Sequence, residues 1–333
     1  MLRPELADRF HGARVLITGG LGFIGSHLAR ELVQAGADVI LVDSLIPEYG
    51  GNLRNVAEIE GEVRINISDV RDEHSLRYLV RGQDFLFNLA GQTSHVDSML
   101  DPYPDLEINC RSQLSILEAC RHHNPGVKIV FPSTRQIYGR PRRLPVDEDH
   151  PIRPVDVNGI NKTAGEWYHL VYGDTYGLRV AILRLTNTYG PHMRVKDARQ
   201  TFLGHWIRLL VTGRELQVYG DGSQRRDFTY VDDAVRALAL AAADERANGG
   251  VYNLGDAEHV SLLELAELLV ELNGEGSYAT MPFPEDRKAI DIGDFYADYG
   301  KIERELGWRP EVDLREGLAR TLSFYRENGP AYF

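Results

Sequence analysis

Apolar residues in the first half of the chain gather into short β-branched runs, separated by longer stretches in which they recur every three or four positions. That alternation is what parallel strands buried on both faces produce when crossover helices join them. Strands are expected at residues 14–18, 38–42, 63–66, 84–88, 128–132 and 179–183, and helices at 24–34, 107–122 and 160–176. From about Pro191 the rhythm weakens, and turn signals such as Tyr219-Gly220-Asp221-Gly222 and the 282–284 segment interrupt it. The expected architecture is α/β: a doubly wound parallel sheet built by residues 1–190, with later segments such as 251–254 returning to it, and a smaller C-terminal lobe formed mainly by 191–333.

Composition adds few constraints to this picture. Hydrophobic residues at 43% and charged residues at 26% are ordinary for a globular chain, and no low-complexity run interrupts the 333 residues. A formal net charge of -12 disfavours nucleic-acid backbones as partners, so an anionic ligand must meet local Arg or Lys. Cys110 and Cys120 lie ten residues apart in a helical stretch, too far along one axis to pair, and are expected as free thiols. The eleven His show no metal-ligand spacing, and no metal is expected. No apolar run reaches membrane-spanning length and the N-terminus has no signal-peptide pattern, so the expectation is a cytoplasmic protein without a membrane partner.

The chemistry begins at Thr18-Gly19-Gly20-Leu21-Gly22-Phe23-Ile24-Gly25, which follows the first expected strand and opens the first helix. Gly19, Gly22 and Gly25 keep the spacing that a tight turn, close approach to a pyrophosphate and helix-on-strand packing require. Asp43 ends the second strand, where a carboxylate can hold both ribose hydroxyls of NAD, and no Arg follows it to receive a 2'-phosphate. A Rossmann sheet with NAD as cofactor is therefore expected.

Here the chain resembles the extended short-chain dehydrogenases that epimerise, dehydrate or decarboxylate nucleotide sugars, of the UDP-glucose 4-epimerase type, over essentially all 333 residues. Asp69-Val70 resembles that family's adenine contact, Asn88-Leu89-Ala90-Gly91 its fourth-strand motif, and the loop Gln92-Thr93-Ser94-His95-Val96-Asp97 the segment near nicotinamide ribose and sugar. Asn109 matches a helix Asn that supports the active site, and Ser133 and Thr134 match the hydroxyl pair after the fifth strand. Asn187-Thr188-Tyr189-Gly190-Pro191 resembles a substrate-contacting strand end, and the segment carrying Arg226 resembles the family's diphosphate-binding hairpin, with Arg287 or Lys288 as a further cationic contact. On the cofactor side the resemblance thus implies Gly19, Gly22, Phe23, Ile24, Gly25, Asp43, Asp69, Val70, Leu89, Ala90, Gly91, Asn109 and Lys162. On the substrate side it implies His95, Thr134, Arg135, Gln136, Asn187 and Arg226. It also implies a small C-terminal substrate lobe and a homodimer through paired helices, which Trp167, Tyr168, Leu170 and Val171 on residues 160–176 suit.

The catalytic set departs from the family at one position. The family pairs a Tyr base with a Lys four residues later on one helix, whereas this chain reads Asn158-Gly159-Ile160-Asn161-Lys162, with Asn158 in the place of the Tyr. An amide does not titrate near neutral pH, so the usual base is absent. Three readings stay open: Lys162 as base, directly or through a water held by Asn158; an acceptor elsewhere, such as Tyr168 or His95; or a catalytically silent sensor. The catalytic candidates are Thr134, Asn158 and Lys162. The expected activity is NAD-dependent epimerisation of a nucleotide-diphosphate sugar, at C4, with a C2 epimerase, a dehydrogenase or a decarboxylase as alternatives. Thr134 is followed by Arg135 and Gln136 rather than by titratable acids, which speaks against a 4,6-dehydratase.

Overall fold

The structure is a computed structural model and describes residues 2–198 and 201–333. Seven parallel strands form the central sheet: β1 (Arg14–Thr18), β2 (Asp38–Asp43), β3 (Val63–Ile67), β4 (Phe85–Asn88), β5 (Lys128–Thr134), β6 (Arg179–Leu185) and, after a short β7 (Asn187–Tyr189), β8 (Leu216–Tyr219) and β9 (Arg225–Tyr230), the returning β10 (Gly250–Asn253). Their order is β10-β6-β5-β4-β1-β2-β3. The central strands read as apolar runs because both faces are covered. Val15, Ile17, Val39, Leu41 and Phe87 enter one core, and the alternate residues Leu16, Ile40, Val42 and Leu86 enter the other.

The helices Phe23–Gln34 and Val231–Ala243 pack together, while Glu73–Leu79, Ser112–His123 and Val157–Tyr176 form a second contiguous set. Adding β11 (His259–Ser261) and β12 (Tyr278–Met281), β7, β9 and β11 make a three-stranded sheet and β8 pairs with β12. Strand order reverses around β1, between β2 and β4, which opens a crevice at the carboxyl ends of the strands. Among the described residues no helix is long and apolar enough to cross a membrane.

Two differences from the sequence expectation bear on the site. The expected helix over 107–122 is broken: Pro102–Leu106 leads into a π-turn at Glu107–Arg111 before the helix Ser112–His123. Such a turn redirects side chains, and here Asn109 is buried and donates from Nδ2 to Gln92 O at 2.7 Å. The helix expected from residue 160 begins at Val157 instead, because Asp156 caps it by accepting from Gly159 N at 2.7 Å. Asn158 therefore sits in the first helical turn.

Candidate active site

The glycine loop shows why its residues carry no side chains. Gly19 sits at φ +67°, and a Cβ there would lie 2.9 Å from Ala90 N; a Cβ on Gly25 would lie 2.3 Å from Gly19 O. The helix Phe23–Gln34 consequently starts with no side chain over its N-terminus, and its free N–H groups face a cleft of about 440 Å³. Asp43 lines the same cleft, its two oxygens accepting from Leu45 N at 2.9 Å and Leu21 N at 3.1 Å. Burial raises its pKa, and these backbone donors oppose the rise. The bare helix start, the carboxylate at the end of β2, and Ser68, Asp69 and Val70 beyond it form a cradle of the shape and polarity that a dinucleotide needs.

Lys162 and Asn158 stand on the opposite wall, at the start of the helix Val157–Tyr176. Lys162 Nζ reaches Pro132 O at 3.4 Å and lies 4.9 Å from the centre of the Phe131 ring. Burial pulls its pKa down to about 8, against the attraction of Asp105 and Glu166. Asn158 is 2% exposed and its amide is oriented from behind: Nδ2 donates to Asp105 Oδ2 at 2.8 Å and to Gln92 O at 2.9 Å. Asp105 is fully buried and uses its other oxygen to accept from Asn161 Nδ2 at 2.8 Å. Both Asn158 amide hydrogens are thus engaged, which leaves Oδ1 as the side-chain atom able to accept a hydrogen bond from a ligand in the cleft. Ser133 and Thr134 complete this wall from the end of β5; Ser133 Oγ is buried without a partner, and Thr134 Oγ1 accepts from Gln136 N at 3.2 Å.

The substrate end is formed by β5, β7 and the residues that follow it. Arg135 lines the cleft beside Asn187, to whose Oδ1 its Nη2 donates at 2.8 Å, and Asn187 Nδ2 donates in turn to Asp227 O at 2.9 Å. His95 also lines the cleft, with Nδ1 3.1 Å from Asp156 Oδ2 but off the line of an N–H donor, so the contact is electrostatic. Asp156 accepts from Gln136 Nε2 at 2.8 Å; burial works to raise its pKa, but His95, Gly159 N–H and Gln136 together hold it below the usual value.

The cleft thus brings together Gly19, Gly22, Phe23, Ile24, Gly25, Asp43, Asp69, Val70, Leu89, Ala90 and Gly91 on the glycine-loop side, and Lys162, His95, Thr134, Arg135, Asn158 and Asn187 opposite. Several expected residues fall outside its lining, among them Arg287 and Lys288 on the short helix Glu285–Ala289. Asn109 and Gln136 lie one layer behind, bonded to Gln92 and Asp156. Arg226 departs further from expectation: it is 5% exposed, Nη1 donates to Gly293 O and Arg225 O, and Nη2 lies 3.4 Å from Asp291 Oδ1. The hairpin Arg is neutralised by a carboxylate of its own chain before any ligand arrives. Tyr168 is likewise absent from the lining, its hydroxyl accepting from Cys110 Sγ at 3.9 Å. Asp105 and Asp156 were not legible as site residues, although an Asp just before a helical run, as Asp156 is, carries an N-cap signal.

The model of the NAD dependent epimerase/dehydratase family matches residues 15–255. A dTDP-glucose 4,6-dehydratase of an Actinoplanes species is 35% identical over 325 residues, covering 95% of this chain and 98% of that protein. A putative UDP-glucose 4-epimerase of Methanocaldococcus jannaschii is 33% identical, covering 94% of this chain and 99% of that one. Among solved structures, the UDP-glucose 4-epimerase of Thermus thermophilus in complex with NAD is similar with a TM-score of 0.83 at 32% identity, over 94% of this chain and 99% of that chain.

Proposed function

The chain belongs to the NAD dependent epimerase/dehydratase family of nucleotide-sugar enzymes, and from that premise we propose that it epimerises a nucleotide-diphosphate sugar at C4. When bound, NAD supplies reversible hydride acceptance, with the glycine loop and Asp43 as its holders. The observation that carries the reading is the pairing of a desolvated Lys162 with an amide that Asp105 turns toward the cleft. An amine whose pKa is brought to about 8 is neutral in roughly a fifth of molecules near physiological pH, against about a thousandth at the ordinary lysine value, and in that form can take the sugar hydroxyl proton. Asn158 Oδ1 accepts a hydrogen bond from that hydroxyl, or from a water relaying its proton to Lys162, and Thr134 stands where a second hydroxyl contact is needed. Lys162 returns the proton when the hydride returns to the opposite face of the sugar.

Epimerisation is favoured over 4,6-dehydration because Arg135 stays charged and Gln136 does not titrate, so neither can protonate a leaving C6 hydroxyl. We further propose a homodimer through the helix face that leaves Leu100, Tyr103, Leu106, Ile160, Trp167 and Val171 exposed. Incubation with UDP-, dTDP-, CDP- and GDP-sugars, followed by NMR and mass spectrometry, tests the activity: a C4 epimer of unchanged mass is expected. A 4-keto-6-deoxy product or loss of carbon dioxide would overturn the proposal. Asn158→Ala should slow turnover about 10- to 100-fold through lost positioning. Asn158→Tyr should give no gain, since a phenol there meets the buried Asp105 carboxylate.

A further inference from the structure

A guanidinium is built into the wall of the cleft without a counter-ion among the described residues. Arg135 follows Thr134 directly, lines the cleft, and lies 5.5 Å from the centre of the Phe295 ring. Asn187 Oδ1 holds its Nη2, but Nη1 is buried with no partner, and among the described residues no carboxylate lies within ion-pair distance of it.

The charged groups that act on it are otherwise engaged. Asp291 pairs with Arg226; Asp156 caps a helix and contacts His95; Asp227 accepts from Ala297 N at 3.0 Å and is pushed up to about 7, chiefly by burial. Burial, with added repulsion from Arg226, draws the Arg135 pKa down to about 10 against the attraction of these carboxylates. A buried cation in this state is costly until an anion reaches it, and the open side of Arg135 is the cleft.

Resting on the nucleotide-sugar reading, we propose that Arg135 receives a carboxylate carried by the sugar itself, so that the preferred substrate is a nucleotide hexuronate rather than a neutral hexose. The position favours the ring substituent over the diphosphate. Arg135 is chain-adjacent to Thr134, whose hydroxyl serves the reacting carbon, and in a hexuronate the carboxylate is carried on C5, the ring neighbour of C4. A planar fork with one arm fixed by Asn187 leaves the other free for a carboxylate oxygen.

Binding to the NAD-loaded protein tests this with eight probes: the glucuronate and glucose esters of UDP, dTDP, CDP and GDP, titrated calorimetrically. One glucuronate ester is expected to bind about 10- to 100-fold more tightly than the glucose ester of the same nucleotide, as a buried charge-assisted contact warrants. Arg135→Gln should erase that preference while leaving affinity for the glucose ester within about threefold, and Arg135→Lys should restore part of it. NAD content and thermal unfolding of each variant establish that it folds. Equal affinity for the two sugars would overturn the assignment, as would an equal loss of both in Arg135→Gln, which would place the diphosphate on Arg135. Failure of all eight to bind would overturn the nucleotide-sugar reading instead.

Discussion

Replacing Lys162 by Met should stop hydride transfer and at the same time make the folded protein more stable near neutral pH, both for one reason. Lys162 is 7% exposed, and the hydrogen-bond acceptor in reach of its Nζ is Pro132 O at 3.4 Å. Burial is the larger influence on its pKa, and the attraction of Asp105 and Glu166 offsets only part of it, leaving the group at about 8 instead of 10.5. That displacement corresponds to roughly 3 kcal/mol by which folding disfavours the charged form. Below the folded value both states hold the proton and the cost is constant. Between about 8 and 10.5 the unfolded chain binds more protons, so stability rises with pH, and above that range the cost is gone. Met matches the length of the stem without the charge and should therefore gain up to about 3 kcal/mol near pH 7 and almost nothing near pH 11. Urea unfolding of the cofactor-free wild type and variant at the two pH values measures the difference. Single-turnover appearance of reduced nicotinamide absorbance, followed against pH, should rise through one ionisation near 8 in the wild type and be absent in the variant. A variant destabilised equally at both pH values, or a wild-type rate that does not change across that ionisation, would refute a desolvated lysine base.

Glu166 and Arg184 form a buried pair with contacts of 2.7 and 3.0 Å, so Glu166→Gln should cost about 3–5 kcal/mol in chemical denaturation. Because Glu166 also raises the Lys162 pKa, the midpoint of the pH–rate profile should move to lower pH in that variant, and an alkaline shift would contradict the coupling. Asp43→Ala should weaken NAD binding about tenfold or more and narrow its advantage over NADP in calorimetry; a variant that gains NAD affinity would show that Asp43 does not hold the ribose. Arg226→Gln should lower stability by about 1–3 kcal/mol, through the Asp291 carboxylate and Gly293 carbonyl it leaves behind, with NAD content unchanged. Loss of NAD without loss of stability would contradict that role.

The sequence by itself determined the sheet and the cofactor, because both are written in short-range patterns. Apolar runs placed β1 at Arg14–Thr18 to the residue, and glycines three apart with Asp43 at the end of β2 defined the dinucleotide cradle. Lys162, Thr134 and Arg135 came into view through the family resemblance, which matched Lys162 to the Lys four residues after position 158 and Thr134 to the end of β5. The tertiary structure decided which side chains are free to act. Asp105 orients Asn158 from 53 residues away, and Asp291 neutralises Arg226 across 65. Nothing local marks either carboxylate, since an Asp in a turn reads the same whether it is solvated or buried against an amide or a guanidinium. The same long-range pairing explains why Arg226, which the hairpin pattern favoured for the substrate diphosphate, lies outside the cleft, while Arg135 lines it. Whether a charge serves the fold or the ligand depends on which partners the topology brings within a few ångströms, and periodicity along the chain carries no record of that.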